Sequence, residues 1–141
     1  MNKAKIGVIG AGWWATEFHI PHLQKRDDVE LVSVCKLEQD QLDFVKNKFG
    51  FEYASTDFKK MLDFSPLDGV VIASPHFAHF ENAKASIQKG CHVLIEKPMT
   101  TNSHDAEELY KLAKEFKKEI LVPNGFNFTH YMPKAEKYIS D

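Results

Sequence analysis

The segment Lys5-Ile-Gly-Val-Ile-Gly10-Ala-Gly12-Trp-Trp-Ala15 constrains the fold more than any other part of the chain. Ile6–Ile9 reads as a short apolar strand that runs directly into a glycine-rich turn, with helix-like sequence beyond it. A strand, turn and helix of this form can cradle the pyrophosphate of a dinucleotide. Gly10 permits the tight turn, Gly12 lets the backbone approach the phosphates, and Ala15 lets the helix pack close to the strand. The helix N-terminus adds N–H groups without intrahelical partners and the positive end of its dipole. An ordinary strand-to-helix turn is the competing reading. The context on both sides of the glycines favours nucleotide binding.

Strand and helix patterns alternate along the rest of the chain. Leu31–Cys35, Gly69–Ala73, His92–Ile95 and Ile120–Val122 read as strands, with Phe51–Tyr53 a weak edge strand. Their β-branched runs suit strands buried on both faces, as in a parallel sheet. Leu42, Val45 and Phe49 share one helical face, and Gly50 ends that helix. Ala83 and Ile87 mark another helix ended by Gly90. Leu109, Leu112, Ala113 and Phe116 form a third stripe, with Asn102 as its N-cap and Asp105 as the capping partner. The pattern predicts an α/β fold, a doubly wound parallel sheet of the Rossmann NAD(P)-binding type.

Bulk properties narrow the function. The chain has 141 residues, 43% of them apolar, enough for one hydrophobic core. A net charge of −2 gives no reason to expect nucleic acid or an anionic membrane surface as partner. No apolar run approaches the roughly 20 residues that cross a bilayer. The N-terminus lacks a signal-peptide h-region, so the expected location is cytoplasmic. Cys35 and Cys91 sit at strand ends and read as small core residues or free thiols. No metal site is expected.

The strand ends supply the candidate site residues. An acidic residue about 20 positions beyond the glycines reads the ribose hydroxyls in an NAD site. Lys36 stands there instead, and an ammonium pairs with a 2′-phosphate, which favours NADP over NAD. Glu38 is close enough to serve an unphosphorylated ribose. Ser74, Pro75 and His79 follow the strand at Gly69–Ala73, on the sheet edge where such folds bind ligands, and are expected to line the cofactor. Helix capping is the plainer role for His76 and His79. Glu96, Lys97 and Pro98 follow the next strand on the same edge and are expected to contact the cofactor. Lys97 can donate to a substrate oxygen, but from the residues alone Glu-Lys-Pro reads more readily as an ordinary surface turn, and it is the resemblance given below that makes Lys97 the catalytic candidate. Pro98 stiffens the turn that aims it. Trp13 and Trp14 are expected to divide, one ring beside the nicotinamide and one in the core. Pro21 predicts that the first helix ends or kinks near Ile20, which leaves His19 and His22 structural.

Taken together, IGAGWWA, VCKLEQDQL, ASPHFAH and GCHVLIEKPMT resemble the N-terminal domain of the glucose-fructose oxidoreductase / inositol dehydrogenase (GFO/IDH/MocA) family of NAD(P)-dependent oxidoreductases. The resemblance covers essentially the whole chain. It implies a Rossmann domain over 1–124 and, in 125–141, the start of a connection into a C-terminal substrate domain. It implies hydride transfer to or from sugars, cyclitols or related hydroxyl-bearing substrates. Lys97 would act near the reacting carbon and the nicotinamide, before a cis Pro98. A full-length protein would be a homo-oligomer and this chain a monomer with little turnover.

The chain departs from the family pattern in three places. Lys36 replaces the acidic residue frequent in NAD-specific members. The family's Asn-x-Arg-Phe turn is matched by Asn127-Phe-Thr-His-Tyr131, without arginine. The family's second-domain His and Asp have no counterpart here. The alternative function is an NAD(P)-binding regulatory or sensor module without catalysis, in which Lys97 is dispensable. A degenerate enzyme that no longer binds cofactor is disfavoured by the intact glycine turn.

Overall fold

The computed structural model describes residues 2–125, 129 and 131–140. Six strands form one sheet: β1 (Ala4–Ile9), β2 (Val29–Cys35), β3 (Tyr53–Ser55), β4 (Gly69–Ile72), β5 (His92–Ile95) and β6 (Ile120–Leu121). Their order is β3-β2-β1-β4-β5-β6, and every neighbouring pair is parallel. The chain therefore winds outward twice from β1. The order reverses between β1 and β4, which opens a crevice at the carboxyl ends of those two strands.

Strand alternation feeds two cores. Ile9, Val70, Ile72, Val93 and Ile95 face one layer, where they meet Met61 and Leu62 of α3 (Phe58–Phe64), Ala83 and Ile87 of α4 (His79–Gln88), and Leu109 and Ala113 of α5 (Ser103–Glu115). Val8, Val34 and Val71 face the other layer. There they meet Ile20 of α1 (Ile20–Gln24) and Leu42, Val45 and Phe49 of α2 (Gln39–Phe49). The β1–β2 register slips between Ile6 and Gly7, which pair with Leu31 and Ser33. Val32 is the extra residue of this bulge, which lets Val32 and Val34 serve opposite cores despite their even spacing.

The helix ends follow the expected chemistry. Gly50 caps α2 in the left-handed region at φ 75°, and Asn102 accepts from the Asp105 N–H at 2.9 Å. α3 is absent from the sequence reading. The edge strand lies at Tyr53–Ser55, two residues later than predicted, because Phe51 is buried in the core before the strand begins. Pro21 does not end the first helix. The chain takes a π-turn over Ala15–His19, with the Ile20 N–H donating to the Ala15 carbonyl, and then continues as α1. The wider turn relieves the clash between the Pro21 ring and the carbonyl four residues back. A last helix, α6 (Met132–Ser140), follows β6 and exposes Tyr138 and Ile139. Asn127 lies outside the described residues. No described helix is long and apolar enough to cross a membrane.

Candidate functional site

A groove of about 570 Å³ lies along the carboxyl ends of β1, β2 and β4. The exit of β1 supplies Gly10, Gly12, Trp13 and Trp14. The exit of β2 supplies Cys35, Lys36, Leu37 and Glu38. The exit of β4 supplies Ala73, Ser74, Pro75 and Phe77. Its size falls within the range of small-molecule and cofactor sites.

The glycine turn is held from both sides. Gly10 N–H donates to the Cys35 carbonyl at 2.9 Å, and Ala73 N–H donates to the Ile9 carbonyl at 2.8 Å. Gly10 has φ +86°, and a Cβ there would fall 2.3 Å from Ser74 N. This glycine is required by the protein itself. Gly12 is different, because a Cβ there would meet nothing within 4 Å. Its carbonyl accepts from Thr16 N–H at 3.0 Å, the first intrahelical bond, so the N–H groups of Trp13, Trp14 and Ala15 precede the ladder. An open approach at Gly12 and a helix N-terminus behind it fit a diphosphate. Ala15 is fully buried in the core and acts through packing, not by contact with the groove.

The two tryptophans do not divide as expected. Trp13 is 70% exposed and Trp14 43%, and both line the groove. They form an aromatic cluster with Phe18. The core position falls to Ala15, one residue further along the helix.

At the far end, Lys36 Nζ lies 3.0 Å from Glu38 Oε2, and the Lys36 side chain is 14% exposed. The Lys36 hydrogen bond holds the Glu38 carboxyl below the usual glutamate range. Cation and carboxylate are thus presented together, one suited to a phosphate and the other to a hydroxyl. Cys35 also faces the groove, but burial, then the Asp57 charge, push its thiol up to about 11. Burial likewise raises Cys91. Both are free thiols and poor nucleophiles at neutral pH.

His79 is displaced from its expected role. It is fully buried, with Nδ1 2.8 Å from the Pro98 carbonyl and Nε2 2.8 Å from the Ser74 carbonyl. The ring joins the exits of β4 and β5 behind the groove and cannot face a cofactor in it. Ser74 Oγ donates to Asn82 Oδ1 at 2.7 Å. Asn82, buried on α4 and lining the groove, is a residue that the sequence reading missed. A polar residue on the apolar face of that helix was the available signal. His76 is exposed.

Glu96, Lys97 and Pro98 lie beyond the groove lining. Lys97 is exposed, and the Lys97–Pro98 bond is cis. Glu96 turns back into the protein. Its Oε1 accepts from His19 Nε2 at 2.6 Å and from Trp14 Nε1 at 2.8 Å, and its Oε2 accepts from the Lys97 N–H at 3.2 Å. Burial acts to raise its carboxyl, and those hydrogen bonds with the His19 charge outweigh it, leaving the group below the usual range. A carboxyl lowered in the folded state stabilises the fold above the ordinary glutamate range and loses that contribution as pH falls through the lowered value. Glu96→Gln is therefore expected to destabilise the chain near pH 7, with the difference closing below about pH 4. Urea denaturation of both proteins at pH 7 and pH 3 checks this. An equal gap at both values counts against it.

No cluster of metal-ligating side chains occurs among the described residues. The family described as an oxidoreductase family with an NAD-binding Rossmann fold, GFO_IDH_MocA, matches residues 4–124. The chain is 32% identical to an uncharacterised oxidoreductase of Synechocystis over 136 residues, which cover 96% of this chain and 35% of that protein. It is 30% identical to D-glucoside 3-dehydrogenase of Escherichia coli over 129 residues, 92% of this chain and 36% of that protein. The crystal structure of myo-inositol 2-dehydrogenase from Lactobacillus plantarum superposes with a TM-score of 0.87 at 26% identity, over 99% of this chain and 41% of that one. The chain thus spans about a third of the length of the curated relatives it matches. With its sheet order, its glycine turn and this match over 4–124, the chain belongs to the GFO_IDH_MocA oxidoreductase family and forms its NAD-binding Rossmann domain.

Proposed function

We propose that this chain is the cofactor-binding part of an NAD(P)-dependent oxidoreductase acting on the CH–OH group of a sugar, cyclitol or related substrate. The observation that carries the reading is Gly12, whose Cβ direction is open for 4 Å above a helix N-terminus in the groove. Residues 1–124 form the dinucleotide domain, and 125–141 lead toward a substrate domain. The substrate class is supported by the names of the relatives, a glucoside dehydrogenase and an inositol dehydrogenase.

The roles follow from the chemistry of each group. The turn at Gly10 and Gly12 holds the diphosphate. Lys36 pairs with a 2′-phosphate, so NADP is preferred to NAD. Trp13, Trp14, Ser74 and Pro75 shape the wall of the groove. The bound nicotinamide supplies the hydride acceptor or donor. Lys97 holds the substrate oxygen and moves the proton that accompanies hydride transfer.

A tryptophan-fluorescence titration with NADPH and NADH tests the reading, since both indoles line the groove. NADPH is expected to bind more tightly. Lys36→Asp is expected to weaken NADPH by about 10- to 100-fold, the value of one charge-assisted contact, while NADH changes by less than about threefold. Equal loss for both cofactors would reject Lys36 as the phosphate reader. Failure of both cofactors to bind would reject the site.

A further inference from the structure

We infer that His19 is a positioning residue for Lys97, acting through Glu96. The inference rests on the reading of Lys97 above. It gives Glu96 a different role from the cofactor ligand that the sequence suggests.

The connection begins with Pro21. Its ring and missing N–H disfavour a regular α-helix across Glu17–Pro21, and the chain widens to the π-turn at Ala15–His19. In an α-helix, residues five apart lie about 140° away from each other around the axis. An i-to-i+5 turn brings them nearly into line. Trp14 and His19 are five apart, and both reach the same oxygen, Oε1 of Glu96. The widened turn is thus what lets one helix present two donors to one carboxylate. The His19 and Glu96 side chains are 16% and 13% exposed, so solvent screens the pair only weakly.

Glu96 is well placed to transmit that anchorage. Its N–H still donates to the Ile72 carbonyl of β4 at 2.9 Å, so its backbone, one residue past β5, is held to the sheet. Its second oxygen accepts from the Lys97 N–H, at the first residue of the turn. On the other flank the Pro98 carbonyl is held by His79. Lys97, with an exposed side chain, therefore sits between two residues pinned from different helices. The same helix that begins at the phosphate turn grips the lysine turn, so the seating of the diphosphate and the aim of the amine share one rigid element.

The test is residue-resolved amide hydrogen exchange on the 141-residue chain, with and without NADPH, alongside thermal unfolding. His19→Gln retains a donor toward Glu96, and His19→Leu removes it. In the free chain, the Lys97 amide is expected to exchange about tenfold faster in His19→Leu and within about twofold of the native rate in His19→Gln. The Trp14 indole N–H is expected to remain protected in both. With NADPH bound, Lys97 gains further protection in the native chain and in His19→Gln, and none in His19→Leu. Unchanged Lys97 exchange in His19→Leu overturns the inference, as does equal acceleration in both variants. The free-chain comparison does not depend on the cofactor. If NADPH fails to bind the native chain, the functional reading fails while that comparison still decides whether His19 holds the turn.

Discussion

Gly12→Asp is expected to abolish dinucleotide binding and leave the fold intact. Gly12 is not among the glycines with positive φ, and an added Cβ meets nothing within 4 Å. The backbone therefore accepts a side chain without strain. Gly12 also provides the carbonyl for the first intrahelical bond, the N-cap position, where aspartate is favourable. The same carboxylate would stand in the space a diphosphate needs and repel it. Affinity for NADPH or NADH is expected to fall by more than about 100-fold, with the thermal midpoint shifted by less than about 3 °C. Fluorescence titration and circular-dichroism melting check the two halves. Native affinity in the variant would show that the ligand does not approach over Gly12.

Gly10→Ala has the opposite expected result. Here φ is +86°, and the new methyl would lie 2.3–2.5 Å from Ser74 N, Ser74 Cα and the Ala73 carbonyl carbon. Those atoms are backbone at the exit of β4, and Ala73 N–H is bonded to the Ile9 carbonyl, so they cannot yield cheaply. Strain in the left-handed region and forced separation of the two strand exits together are expected to cost about 3–5 kcal/mol. That corresponds to a thermal midpoint lowered by roughly 10 °C or more. A variant that melts with the native chain would contradict the close approach of the β1 and β4 exits. Two glycines two residues apart are thus expected to answer to different demands: Gly10 makes room for protein, and Gly12 leaves space for the proposed ligand.

What was legible in the sequence was local. The strands at Ile6–Ile9, Leu31–Cys35, Gly69–Ile72 and His92–Ile95 announce themselves as apolar runs, and the stripes of α2 and α5 have helical spacing with clear caps. α3 escaped because seven residues give too short a stripe to show a period. Its one readable sign was Asp57, whose carboxylate accepts from the Lys59 and Lys60 N–H groups. The groove-lining residues at strand ends were also readable, since topology places strand ends together. His79 and Glu96 were not. Each makes a bond to a residue brought near only by the finished sheet: Pro98 lies 19 positions from His79, and His19 lies 77 from Glu96. No local pattern distinguishes a histidine that ties two loops from one that faces a ligand. Pro21 was read correctly as a disturbance. Its outcome was a widened turn and not a stop, with Ile20 buried in the core at that point.

The strand order also shapes how the chain is synthesised. β1 is made first yet ends in the middle of the sheet. One side of it is joined by Val29–Cys35 soon afterwards, but the other waits for Gly69–Ile72. During translation, the β4-facing side of Ile6–Ile9 is a bare sheet edge until some 60 further residues have emerged. A ribosome stalled between β2 and β4 would display that edge to any other nascent strand. The hazard ends when the fourth strand docks, which is also the moment the crevice first exists.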